Sequence, residues 1–216
     1  MTVTAGVLLG VAAVFAVGDW VAIARASTRL EYVCKPAATG ALVGVAATLD
    51  AAHGDTQAWF IAALVLCLAG DVFLMLPTRP DGFDGFVPGL GSFLLAQLAF
   101  AVGFALHGGS TGEYVVGGVV VVVAAAPLAT RFVRALLRSE HAVLVGPVLA
   151  YLVAIAAMAT AAIGGANAWG VAGALLFLAS DSLIAETRFV AEHRGFPVAI
   201  MVTYHLALVG LVVSLI

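Results

Sequence analysis

The stretch L64-V-L-C-L-A-G-D71-V-F-L-M75 is an unbroken apolar run holding one bare carboxylate, Asp71. A second run, L175-L-F-L-A-S-D181-S-L-I-A185, sets Asp181 in nearly the same frame 110 residues on. An aspartate in such surroundings is expensive to keep, so the pair points to chemistry performed inside a membrane. The rest of the chain supports the membrane half of that reading. Hydrophobic residues make up 63% of the sequence, charged residues only 10%, and the mean hydropathy is +1.16. A water-soluble domain carries about 25% charged residues.

Runs long enough to cross a bilayer, roughly 17 to 25 residues, recur along the whole chain. Breaks at Gly, Pro or charge predict eight helices, near 3–24, 33–50, 58–76, 88–106, 114–130, 142–163, 168–187 and 197–216. The expected fold is therefore all-α: a polytopic membrane bundle forming one transmembrane domain over 1–216, with no separate soluble domain. The alignment of L66-C-L-A-G-D71 with L176-F-L-A-S-D181 raises the possibility of a parallel 4+4 repeat, 1–110 and 111–216.

Charge tests the count independently. The eight arginines, at 25, 29, 79, 131, 134, 138, 188 and 194, all fall at odd-numbered connections. Even-numbered connections hold Asp50, His53, Asp55, His107 and Glu113 instead. By the positive-inside rule the odd loops are cytoplasmic, and both termini lie on the far side of the cell membrane. The first segment has no basic n-region and reads as a retained helix. The net charge of −3 argues for no nucleic-acid partner. Cys34 and Cys67 both sit in apolar segments, which disfavours a disulfide framework or a zinc cluster.

Polar residues share one depth. At ~1.5 Å per residue from the arginine-bearing ends, Asp19 and Asp71 lie ~9 Å in, Lys35 ~6 Å and Asp181 ~10 Å. Tyr204 and His205 fall at ~10 to 12 Å and Tyr151 at ~15 Å. The opposite half holds almost nothing polar beyond small hydroxyls and caps, so the layer is expected to line one pocket. Each member also has a plainer reading. Asp19 reaches interfacial water, Lys35 snorkels to headgroups, the aspartates pair structurally with Lys35, and the tyrosines pack. His205, alone in its layer, is more readily a hydrogen-bonding group than a metal ligand, so no metal or other cofactor is expected.

Two motifs are set aside. G108-G-S110-T-G112 fits G-x-S-x-G but lacks the strand-to-helix elbow that exposes a nucleophile. G6-V-L-L-G10 and G40-A-L-V-G44 fit small-xxx-small, which speaks to close helix packing.

The ordered set C34-K35-P36, G70-D71-V-F-L74, P147-V-L-A-Y151, G173-A-L-L-F-L-A-S180-D181-S182 and T203-Y204 resembles the YhhN family, whose characterised members are lysoplasmalogenases. The resemblance implies hydrolysis of the vinyl-ether bond of a lysophospholipid drawn from the inner leaflet, giving a fatty aldehyde and a glycerophospho-alcohol. On the residues' own chemistry Asp71 and Asp181 are expected to form the catalytic pair, with Lys35, Asp19, Tyr151, Ser180 and Tyr204 in support and Gln97 and His205 as further polar groups. Buried carboxylates suit this chemistry, because burial and mutual repulsion keep a proton on one while the other stays ionised. Helix four departs from the family pattern, with Gln97 and Phe100 where a histidine and a tyrosine are expected. Helix eight offers His205 and Leu208 in place of a tyrosine and a glutamine. The chief rival is a small-molecule transporter with the aspartates as a proton relay. Against it, the sequence places Pro36, Pro77, Pro88, Pro127, Pro147 and Pro197 toward helix ends, away from the midplane breaks such proteins use.

Overall fold

The computed structural model describes residues 1–50, 54–77, 84–139 and 142–216. Within them the chain forms eight long helices: α1 Val3–Ala24, α2 Thr28–Thr48, α3 Gly54–Met75, α4 Phe86–Leu106, α5 Thr111–Leu137, α6 Val145–Gly165, α7 Ala168–Phe189 and α8 Phe196–Val213. No strand occurs among the described residues. Seven of the eight are long and apolar enough to cross a membrane. The exception is α2, whose 21 residues include Arg29, Glu31 and Lys35. The chain is an integral, multi-spanning membrane helix bundle.

Sequential helices pack as antiparallel hairpins, α1 on α2, α3 on α4, α5 on α6 and α7 on α8. Further contacts of α4 with α6 and of α8 with α1 and α2 close the bundle. Contacts between connections sort into two ends. At one end Arg188 pairs with Asp84 at 3.1 Å, Arg131 with Glu186, and the Tyr32 hydroxyl donates to the Met75 carbonyl. At the other, Thr2 reaches the Thr48 carbonyl and Asn167 the Ser214 carbonyl. The first end gathers arginine-bearing connections, as the charge pattern required. Arg79 and His53, used in that pattern, lie outside the described residues, as does His141.

The helix ends are chemically marked. Ser110 and Glu113 form a reciprocal capping box that opens α5. Ser110 thus has a structural task, in keeping with its exclusion as a nucleophile. Asn167 caps α7 by accepting from the amides of Trp169 and Gly170. The valines at 115, 116, 119, 120, 122 and 123 are exposed along α5, which faces them to lipid.

Three expectations need correction. α2 begins five residues before the predicted 33, so Lys35 and Pro36 lie inside it. α5 runs past the predicted 130 and carries Pro127 in its interior. The prolines therefore do not all sit toward helix ends, although both helices continue through them. The charged T28-R-L-E-Y32 segment is helical, and Glu31 and Lys35, one turn apart, support the helix with an ion pair of 3.6 Å. Lastly, the small-xxx-small glycines pack closely only in part, since a Cβ at Gly44 would come within 3.2 Å of Leu8. A Cβ at Gly10 or Gly40 would meet nothing within 4 Å, whereas one at Gly173 would sit 2.7 Å from the Leu211 amide nitrogen.

Candidate functional site

Asp71 comes from the last turns of α3 and is 1% exposed. Its Oδ2 accepts two hydrogen bonds, from the Thr39 hydroxyl of α2 at 2.7 Å and from the Tyr204 hydroxyl of α8 at 2.8 Å. Tyr204 is held in turn by edge-on aromatic contacts, with Phe177 at 5.6 Å and Phe93 at 5.9 Å between centroids. Such contacts add about 0.5–1.5 kcal/mol each beyond burial. Gly70 leaves the room that Phe93 fills, since a Cβ there would come within 2.6 Å of the ring. The G70-D71 dipeptide thus places both the acid and the ring that steadies its donor.

Asp181, from the middle of α7, accepts a hydrogen bond from the Tyr151 hydroxyl of α6. It is only partly buried, because it lines a cleft. The cleft encloses about 630 Å³ of empty space, counting its open mouth. Leu74, Leu90, Phe93, Phe132, Val148, Leu152, Ile155, Leu178, Ile184 and Ala185 form apolar walls drawn from α3 to α7. Its polar lining consists of Tyr151, Asp181 and Ser182, and the Ser182 hydroxyl is spent on the Leu178 carbonyl. At the arginine-bearing end Phe86 and Phe189 stand edge-on at 6.0 Å, with the Arg188 guanidinium 4.8 Å above the Phe86 ring.

The two carboxylates therefore differ. No hydrogen bond joins them among the described residues, and each has its own tyrosine donor. Asp181 faces the cleft, and Asp71 sits behind it, away from its lining. Cys67, fully buried one turn before Asp71, lies within electrostatic reach of both.

The remaining sequence-predicted residues divide. Gln97 is fully buried and its amide interacts with the Tyr151 phenol, yet neither polar atom makes a hydrogen bond of normal length. Asp19 is 0% exposed, lies within reach of Lys35, and likewise has no hydrogen-bond partner on either oxygen. His205 Nδ1 accepts from the Trp20 indole at 3.0 Å, which puts the proton of a neutral ring on Nε2. Lys35 makes its ion pair with Glu31, and none joins it to Asp19 or Asp71 among the described residues. Ser180 points elsewhere, donating to the Ile200 carbonyl at 3.0 Å and tying α7 to α8. The sequence reading missed Thr39, although its place four residues after Lys35 and eight after Glu31 puts all three on one helix face.

The YhhN family model matches residues 30–215, which takes in both aspartates, Lys35 and every tyrosine of the site. The chain belongs to the YhhN family. Two curated relatives, each named lysoplasmalogenase, come from Mycobacterium bovis and Mycobacterium tuberculosis. Each is 32% identical over 177 residues, covering 79% of this chain. The chain spans 66% of the length of those relatives. No solved structure matches.

Proposed function

We propose that this protein is a membrane-embedded hydrolase that cleaves the vinyl ether of lysoplasmalogens. The observation that carries the reading is the apolar cleft with a single acidic group, Asp181, hydrogen-bonded by Tyr151. A lysolipid would enter from the inner leaflet with its phosphate near the arginine-bearing connections. Its chain and vinyl ether would lie in the cleft.

Hydrolysis begins with a proton delivered to the alkene carbon one bond removed from the ether-bearing carbon. The C=C pair forms the new C–H bond, and the neighbouring carbon becomes an oxocarbenium ion. Asp181 is the donor, since it borders the cleft. Once it has given its proton, the Tyr151 hydroxyl stabilises the carboxylate, which in turn faces the cation. Water adds to the cation and returns a proton to Asp181. The hemiacetal then releases the glycerophospho-alcohol and leaves the fatty aldehyde. One water is consumed and no net proton. Asp71, fixed by Thr39 and Tyr204, is the second carboxylate of the layer and supplies negative charge behind the developing cation.

The reading is tested by aldehyde release from the purified protein, offered a lysoplasmalogen beside an acyl lysophospholipid of the same headgroup. Aldehyde is expected from the vinyl ether alone. Asp71→Asn should reduce it by ~10-fold or more through the lost charge, while an amide oxygen still accepts from both hydroxyls. A folded preparation that yields no aldehyde would sink the proposal. The cleft has its own test. Ala185→Trp fills the space beside Asp181 and should cut kcat/KM by ~10-fold or more with little change in melting temperature. Unchanged kinetics in that variant would exclude the cleft as the lipid site.

A further inference from the structure

The cleft can admit a lipid, but hydrolysis also needs water, and all the residues lining the cleft except Tyr151, Asp181 and Ser182 are apolar. We propose that the hydrolytic water arrives by a separate route: a polar file running from Glu31 past Lys35, Asp19 and Asp71 to Gln97 and Asp181. The purpose assigned to the file rests on the hydrolase reading; its existence does not.

The first support is the face of α2. Glu31, Lys35 and Thr39 follow one another at single-turn spacing, so they form a ladder along the helix. The Glu31 side chain is 28% exposed and Lys35, its ion-pair partner, 7%. Thr39 is fully buried and donates to Asp71. The ladder therefore leads from the arginine-bearing end of the bundle to the buried carboxylate, on the side of Asp71 away from the cleft.

The second support is independent. Among the described residues, five buried side-chain atoms have no hydrogen-bond partner: both Asp19 oxygens, both polar atoms of Gln97, and His205 Nε2. All three residues border this line. Asp19 lies within electrostatic reach of Lys35, Glu31 and Asp71, and His205 within reach of Lys35. Gln97 stands beside Tyr151, the donor to Asp181, and Cys67 spans the interval between the two aspartates. Buried polar atoms are satisfied by protein or by ordered water, and neither Asp19 oxygen has a protein partner.

Charge selects the occupant. Lys35 opposes a cation in the file, while Asp19, Glu31 and Asp71 oppose an anion. Water, which donates and accepts, fits donors at Lys35 and His205 and acceptors at Asp19 and Gln97. Asp19 and Lys35 are then positioning residues, acting on the water and not on the lipid.

Pulsed X-ray radiolysis in ¹⁸O-labelled water, read by mass spectrometry on the purified wild-type protein, tests the file directly. Tyr204 and His205 are 3% and 2% exposed, and both flank it. They should take up label faster than Met158, which is 0% exposed and lies two turns beyond Tyr151 on α6, although its sulfur is intrinsically the more reactive. Asp19→Leu should lower labelling at Tyr204 and reduce kcat by ~10-fold while KM moves less than ~2-fold. Labelling at Tyr204 and His205 no faster than at Met158 would overturn the file, even in a preparation that releases aldehyde. Fast labelling in a preparation that releases none would leave the file standing and remove the hydrolase reading.

Discussion

Replacing Asp181 by asparagine is expected to lower aldehyde release by ~10²- to 10⁴-fold, the range over which a positioned proton donor contributes. The step that limits vinyl-ether hydrolysis moves a proton to carbon, and an amide cannot supply it. The substitution is otherwise conservative. The asparagine oxygen can still accept from Tyr151, and the side chain keeps its volume at the cleft wall. KM should stay near the wild-type value, because the lost interaction belongs to the transition state. Tyr151→Phe provides the graded companion. It removes one hydrogen bond to the carboxylate formed after proton transfer, and ~1.5–3 kcal/mol for a bond to a charged group predicts a fall of roughly 10- to 150-fold. Steady-state kinetics with a single lysoplasmalogen would measure both. Asp181→Asn activity within tenfold of wild type would place the proton donor elsewhere, with Asp71 the next group to test.

The two aspartates were legible in the sequence because a carboxylate in an apolar run has no bland surroundings to hide in. The eight helices were legible for the same reason, as apolar runs whose odd connections gather arginine. What pattern could not give was how the acids are divided. Both lie at similar depth in similar frames, so sequence reads them as one mutually repelling pair. The structure instead gives each its own donors, Thr39 and Tyr204 for Asp71 and Tyr151 for Asp181, and turns only Asp181 to the cleft. Thr39 was invisible because a membrane threonine ordinarily returns its hydroxyl to its own helix, as Thr203 does to the Ala199 carbonyl. Ser180 was misjudged through its neighbour: it stands beside Asp181 in the chain, yet one helical step turns it about 100° away, toward α8. The start of α2 was missed because T28-R-L-E-Y32 is too polar for a hydropathy reading, although its Glu31–Lys35 spacing carried the helical signal.

A large stability effect is expected at Gly173, far from any charge. There α7 and α8 touch backbone to backbone. A Cβ on Gly173 would lie 2.7 Å from the Leu211 nitrogen and 2.9 Å from the Ala207 oxygen, and one on Gly210 would lie 3.0 Å from the Gly173 Cα. Neither obstacle is a side chain that can swing aside. Gly173→Val must therefore push the helices apart, at a cost of at least ~3 kcal/mol, the upper end of overpacking penalties. Between membrane helices no hydrophobic effect offsets the lost contact, because lipid is as apolar as the helix surface. The same crossing carries Asp181 two turns along α7 and Tyr204 along α8, so a survivor should also lose activity as the Tyr204–Asp71 bond lengthens. Gly40→Ala supplies the control: the new methyl meets nothing within 4 Å, and alanine favours the helix. Melting temperatures in detergent should fall sharply for Gly173→Val and hold or rise for Gly40→Ala. Equal melting temperatures would mean that the α7–α8 crossing is looser than these contacts require, and that the layer of polar residues is held by its hydrogen bonds instead.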